Sequence, residues 1–98
     1  MARTPEGKVK DAVTKLLREL EVYYFFPQTH GFGRSGVPDV IACARGRFIG
    51  IECKAGTNKP TALQQQELTQ IKNAGGLAWL QCGSDVTSLR AVLLEVLE

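Results

Sequence analysis

The sequence is poor in the residues that build metal clusters and disulfide frameworks. It has one histidine, His30, and three cysteines, which are Cys43, Cys53 and Cys82. The cysteine count is odd and no two cysteines are closely spaced, so a zinc site is not expected. Each cysteine lies in an apolar, strand-like run. We therefore predict that all three are small buried hydrophobic residues in a reducing compartment.

Long apolar runs and a strong excess of one charge are also missing. The apolar runs are too short to span a membrane and no signal peptide is visible, so we expect a cytoplasmic protein. The net charge is only +2, from 12 basic and 10 acidic residues. Without a basic tail, any nucleic-acid binding would require positive charges arranged on one surface. The 98 residues form one domain (1–98) with a modest core, and a partner subunit is expected.

Hydrophobic periodicity predicts the order α-β-β-β-α-β-α. Thr4 and Thr61 are predicted helix caps, and Asp85 is expected to cap the last helix. The short Arg45-Gly46 turn makes the second and third strands an antiparallel hairpin, whereas the helix before the last strand allows parallel pairing. The fold class is therefore α/β, with a mixed sheet flanked by helices. The predicted helices cover 5–20, 62–74 and the residues after 85, and the predicted strands cover 22–26, 39–44, 47–55 and 77–82.

The hairpin carries three charged residues where apolar ones are expected. Side chains alternate along a strand, so Glu52 and Lys54 share one face while Cys53 points to the other. If Ala44 pairs with Arg47 across the turn, Asp39 lies directly opposite Glu52, with Cβ atoms about 4.5–5.5 Å apart. The register predicts two facing carboxylates with a lysine one step along.

Two facing carboxylates repel each other unless a cation lies between them. Hard oxygen ligands at this density suit magnesium or manganese, and the backbone carbonyl of Cys53 is a further candidate ligand. Lys54 would then hold an attacking water or the charge of a phosphate. The alternative is a solvated ladder in which Glu52 pairs with Lys54 and Asp39 caps a turn.

Glu6 and Gln64 lie on the apolar faces of their helices. Glu6 is either a favourable charge near a helix N-terminus or a third acidic group beside the metal. Gln64 is either a solvated residue of a glutamine run or a neutral amide that binds the substrate or a metal-bound water. Spacing alone favours the helix N-terminal charge for Glu6 and leaves both alternatives open for Gln64.

A helix with an early glutamate, then Pro38-Asp39, then Glu52-Cys53-Lys54 on the next strand, resembles the PD-(D/E)XK nuclease signature. More narrowly, the chain resembles the virus-type replication–repair nuclease (VRR-NUC) family. The Gly33–Asp39 segment, GRSGVPD, resembles the family's loop, and Leu63-Gln64 and Ala74-Gly75-Gly76 resemble the two ends of its following helix. The resemblance covers nearly the whole chain except the last helix. Cys53 stands where the family commonly has an aliphatic residue, which matters little if only its carbonyl is used.

The resemblance implies a restriction-endonuclease-like core and a Mg²⁺- or Mn²⁺-dependent DNA endonuclease. Stand-alone viral members of the family look like homodimers that act on branched DNA, including four-way (Holliday) junctions. A phage- or bacterium-encoded DNA repair enzyme of that kind is therefore expected. The implied roles are metal binding by Asp39, Glu52 and the Cys53 carbonyl, a catalytic lysine at Lys54, an auxiliary acid at Glu6 and an active-site glutamine at Gln64.

DNA contacts are expected from residues that flank the implied site, namely Arg34, Arg45, Arg47 and Lys59. His30 is interpreted as a loop histidine that does not contact a phosphate. The exposed side of residues 22–26 is the predicted dimer interface. Three alternatives stay open: a non-catalytic DNA-binding module of the same fold, a repair or restriction-type nuclease that acts on linear or flap DNA, and a plain interaction domain.

Overall fold

The computed structural model describes residues 3–28 and 33–98, so the predictions for His30 lie outside the described residues. Within these ranges the elements follow the predicted order, α-β-β-β-α-β-α. They are α1 (Pro5–Glu19), β1 (Tyr23–Phe25), β2 (Val40–Ala44), β3 (Arg47–Lys54), α2 (Ala62–Asn73), β4 (Leu77–Cys82) and α3 (Thr87–Leu97).

Side-chain caps begin α1 and α2, as the sequence predicts. The Thr4 hydroxyl accepts a hydrogen bond from the Gly7 amide at 3.0 Å, and proline occupies the first turn of α1. Thr61 caps α2 in the same way. The cap of α3 lies at Val86, one residue after the predicted Asp85. Asp85 still accepts a hydrogen bond from the Thr87 amide at 3.1 Å, so its carboxylate satisfies an N-terminal donor of this helix.

The four strands form one mixed sheet in the order β1-β2-β3-β4. β1, β2 and β3 pair antiparallel, and β4 pairs parallel to β3 after the crossover through α2. Both predictions about strand direction are confirmed. The α/β fold class is confirmed with them.

The two faces of the sheet are covered differently. On one face, here called the core face, side chains of β2 and β3 pack against α1 and α3 in a cluster that includes Leu17, Ile49, Ile51 and Leu93. The other face, here called the α2 face, carries Phe48, Gly50, Glu52 and Lys54 of β3. α2 approaches it so closely that a Cβ atom on Gly50 would lie 2.6 Å from Ile71 Cδ1. The domain therefore has three layers, helices–sheet–helix.

One prediction about the cysteines is confirmed and two are wrong. Cys53 lies on the core face and is buried, whereas Cys43 and Cys82 are exposed. Cys43 points to the α2 face beside Phe48, and α2 covers β3 and β4 rather than this part of β2. Cys82 is the last residue of β4. In the described part of the chain, no helix is both long and apolar enough to cross a bilayer.

Candidate active site

The hairpin turn fixes which residues of β2 and β3 face each other. Arg45 and Gly46 both have positive φ angles, 53° and 80°, as a two-residue type I′ turn requires. Ala44 therefore pairs with Arg47, and the ladder continues to the pair of Val40 and Ile51. The next pair in this register is Asp39 and Glu52. The predicted register is confirmed.

Asp39 lies one residue before the paired part of β2. Its side chain accepts a hydrogen bond that a backbone carbonyl of a paired strand would otherwise accept. Its Oδ2 atom accepts a hydrogen bond from the Cys53 amide at 2.9 Å. The N–H and C=O groups of one strand residue point to the same side of the strand, because antiparallel partners exchange both bonds. The Cys53 carbonyl therefore faces the same side of β3 as the Asp39 carboxylate, while its thiol lies in the core.

Glu52 is a buried carboxylate whose charge is poorly compensated. The residue is 1% exposed, and neither of its carboxylate oxygens has a hydrogen-bond partner within residues 3–28 and 33–98. Burial, and then the neighbouring Asp39 carboxylate, raise its pKa to about 7, although Lys54 offsets part of this shift. Buried polar atoms are nearly always hydrogen-bonded in native proteins, so a carboxylate held only by its ion pair with Lys54 is a candidate ligand for a bound group.

Lys54 lies between two acidic side chains. Its Nζ atom is 3.4 Å from Glu52 Oε2 and 3.9 Å from Glu6 Oε1. Glu6 belongs to the first turn of α1, and its side chain is about half exposed. The structure thus brings Glu6, Asp39, Glu52 and Lys54 together at one end of the sheet.

Gln64 is used differently from what its predicted role requires. Its side-chain Oε1 atom accepts a hydrogen bond from the backbone amide of Thr61 at 2.9 Å, while the backbone amide of Gln64 donates to the Thr61 hydroxyl at 3.2 Å. This reciprocal pair is a capping box that begins α2. The amide oxygen is therefore engaged in the helix cap, and the role of Gln64 in the site stays a prediction.

The donors at this end of the sheet fit a hard divalent cation better than a soft one. Two carboxylates and a backbone carbonyl are oxygen ligands, which Mg²⁺ and Mn²⁺ prefer, usually together with water and substrate phosphate. The oxygens of Glu52, which accept no hydrogen bond from the described residues, fit the role of ligands to such a cation. In the described ranges, no group of three or more His, Cys, Asp and Glu side chains could hold a metal by itself. Binding of a divalent cation here would therefore also need the Cys53 carbonyl, water and substrate oxygens as ligands.

The four predicted DNA-binding residues do not all lie near this group. Arg45 and Arg47 stand at the turn end of the hairpin, and Glu52 lies five positions after Arg47, roughly 17 Å along an extended strand. The expectation that both flank the site is wrong, since Asp39 and Glu52 lie at the open end. Lys59 is exposed in the loop after β3, at the same end as Lys54. Arg34 lies against α2, where its guanidinium contacts Glu67 and Gln70.

Two features of the site were missed in the sequence. Gly36 has a φ of +83°, and a Cβ atom there would lie 2.7 Å from the backbone carbon of Leu63. The glycine therefore permits close contact between the segment before Asp39 and the first turn of α2. Glu67, the partner of Arg34, was also missed. Only the glycine carried a signal, since Ser35-Gly36 before Val37-Pro38 is typical of a turn.

Comparison with known proteins gives one informative relative. No family model matches the chain. Over 58 residues the chain is 36% identical to "Putative nuclease p44" of Acyrthosiphon pisum secondary endosymbiont phage 1. The matched part covers 58% of this chain and 62% of that relative, so the chain spans less than two thirds of the relative's length.

Proposed function

We propose that this protein is a metal-dependent DNA endonuclease of the VRR-NUC type. The observation that carries the proposal is the buried carboxylate of Glu52, which lies beside Asp39 and 3.4 Å from the Lys54 ammonium and accepts no hydrogen bond from the described residues. A binding module gains nothing from facing carboxylates, because they repel a phosphate. The phage relative named as a nuclease supports the same class of activity.

The chemistry follows from the charges at the open end of the hairpin. Asp39, Glu52 and the Cys53 carbonyl would hold Mg²⁺ or Mn²⁺, which supplies Lewis acidity and neutralises phosphate charge. Water attacks phosphorus in line and loses a proton to solvent, while the bond to the 3′ oxygen breaks. That oxygen takes up a proton from solvent, which leaves a 5′-phosphate and a 3′-hydroxyl. Lys54 orients the water or stabilises the charge that develops on the phosphate. Glu6, at 3.9 Å from Lys54 Nζ, helps to hold that ammonium in place.

The proposed substrate is branched DNA, such as a four-way junction, cut by a homodimer. The aromatic side chains of β1 support an interface there, because Tyr23 is 69% exposed and Phe25 lies beside it, with ring centroids 6.3 Å apart. Such an aromatic surface is typical of protein contacts. Lys59 would contact phosphate near the site. Arg45 and Arg47 would contact DNA about five base pairs away, if the duplex runs along the hairpin with a rise of about 3.4 Å per pair.

The test is to incubate the purified protein with linear, flap and four-way junction DNA, with and without Mg²⁺ or Mn²⁺. We expect metal-dependent cleavage that is fastest on the junction. The matched control is Glu52→Gln, which keeps the side-chain volume but removes the charge. Cleavage that is equally fast without added metal, or by the control, would contradict the proposal. Junction binding without any products would favour the non-catalytic DNA-binding module instead.

A further inference from the structure

The segment that leads to Asp39 is held against α2 by a side-chain cluster that lies outside the acidic site. This segment, residues 34–39, contains no helix or strand. At its start, the Nε and Nη2 atoms of Arg34 donate hydrogen bonds to Glu67 Oε2 at 3.0 and 2.8 Å. Nη2 also donates to Gln70 Oε1 at 2.7 Å. Because Glu67 and Gln70 lie on α2, the guanidinium attaches the segment to the middle of this helix.

Two further contacts carry this attachment towards Asp39. Gly36 packs on the backbone of Leu63 and Gln64, with no room for a Cβ atom. Pro38 is buried and packs so closely on β3 that a Cβ atom on Gly50 would lie 3.0 Å from its Cγ atom. The segment is therefore held by contacts along its length, from the guanidinium of Arg34 to the carboxylate of Asp39.

The charges make Arg34 poorly suited to contact a phosphate. Its side chain is 64% exposed, but that of Glu67 is only 14% exposed. If the guanidinium moved to DNA, it would leave a largely buried carboxylate unpaired, which costs free energy. The same carboxylate would then repel the nearby backbone of the DNA. Arg34 and Glu67 together offer a phosphate no net positive charge.

We propose that Arg34 and Glu67 form a positioning pair that sets the place of Asp39, and that Arg34 does not bind DNA. This inference rests on the proposed function, because it assigns the pair to the same site. Neither residue touches the reacting atoms. The pair acts through the segment from Arg34 to Asp39, whose far end is fixed by the hydrogen bond from the Cys53 amide to Asp39 Oδ2.

That hydrogen bond gives a readout that needs no catalysis. Exchange of the Cys53 amide hydrogen, measured by NMR, reports whether Asp39 stays in place. We expect Arg34→Ala and Glu67→Ala each to speed this exchange about tenfold, with no further increase in the double variant, because both remove one coupling. Lys59→Ala is the matched control, since it removes an exposed cation without touching the segment. Unchanged exchange in both single variants would overturn the proposal.

Cleavage and DNA binding then separate positioning from DNA contact. We expect roughly a tenfold slower single-turnover rate in both single variants and in the double variant, because misplaced groups react slowly. The dissociation constant for junction DNA, measured without divalent ions, should stay within about twofold. A direct phosphate contact predicts the opposite pattern, in which Arg34→Ala weakens binding and Glu67→Ala leaves it unchanged or tighter.

The two readouts also distinguish a failure of this inference from a failure of the proposed function. If the wild-type protein cuts no DNA, the proposed function fails while the Cys53 exchange still decides whether the pair positions Asp39. Glu67→Gln keeps a hydrogen-bond acceptor and removes only the charge. We expect it to recover at least half of the cleavage rate lost in Glu67→Ala, and no recovery would count against the hydrogen bonds as the coupling.

Discussion

β3 shows two opposite chemistries on the two faces of one strand. Ile49, Ile51 and Cys53 fill the core face with apolar side chains that are fully buried. The residues that follow Ile51 and Cys53, namely Glu52 and Lys54, lie on the α2 face and are also buried but charged. The core face stabilises the fold through apolar burial, whereas a buried carboxylate without hydrogen bonds opposes folding. Similar burial therefore stabilises the fold on one face and opposes folding on the other, which is the face that carries the proposed site.

The largest expected effect comes from a substitution at Glu52, on the α2 face. Glu52→Gln should lower the rate of metal-dependent cleavage by roughly 10²- to 10³-fold, because the proposed metal loses a charged ligand and stabilises the transition state less well. Above about pH 7 the same variant should be at least as stable as wild type, because burial and Asp39 disfavour the ionised Glu52 more than Lys54 favours it. Cleavage assays and urea unfolding on the same preparation measure both. A variant that is both inactive and clearly less stable would mean that Glu52 serves the fold.

Substitutions on the core face should instead lower the stability of the fold. Ile51→Ala removes a fully buried side chain next to Glu52 and should lower the free energy of unfolding by about 2–5 kcal/mol. Phe48→Ala is the comparison on the α2 face, because Phe48 is 48% exposed and should cost less than about 1 kcal/mol. Urea unfolding followed by circular dichroism measures both. Similar losses for the two variants would remove the distinction between the faces.

A smaller effect is expected where the segment before Asp39 meets α2. Gly36→Ala places a Cβ atom 2.7 Å from backbone atoms at a φ of +83°. Gly83→Ala is a matched control, because its φ is +86° but nothing lies within 4 Å of the added atom. The control should cost about 1–2 kcal/mol from backbone strain alone, and Gly36→Ala should cost more. Equal losses in urea unfolding would show that the close contact with α2 is unimportant.

Local patterns predict most of the fold, because the relevant interactions are local. The Arg45-Gly46 turn sets the hairpin register, and the register places Asp39 opposite Glu52 without information from elsewhere in the chain. Thr4 and Thr61 cap their helices through the amides of nearby residues. These features need only turn chemistry, capping and alternation.

The remaining features depend on contacts between distant residues, which spacing does not encode. The attachment of Arg34 to Glu67 joins residues 33 positions apart, and nothing in the segment identifies its partner. Likewise, the exposure of Cys43 depends on where α2 lies across the sheet. The prediction that Arg45 and Arg47 flank the site ignored the length of the hairpin, although the strand rise was enough to test it.

The last expected effect is a pH dependence of stability that arises on the α2 face. In the metal-free protein, burial and the Asp39 carboxylate raise the pKa of Glu52 from 4.5 to about 7. Between these values the folded state holds a proton that the unfolded chain has released, so the free energy of unfolding falls as the pH rises. This contribution is fully present below about pH 4.5 and is lost once the pH exceeds about 7.

Glu52→Gln cannot release this proton and should lack that part of the pH dependence. Urea midpoints of the metal-free wild type and the variant, measured from pH 5 to pH 8, should therefore diverge, with the variant gaining relative to wild type as the pH rises. Taking the difference between the two proteins removes the groups that titrate alike in both. Parallel curves would mean that Glu52 is ionised in the folded protein throughout this range, and that Lys54 alone is enough to hold its charge.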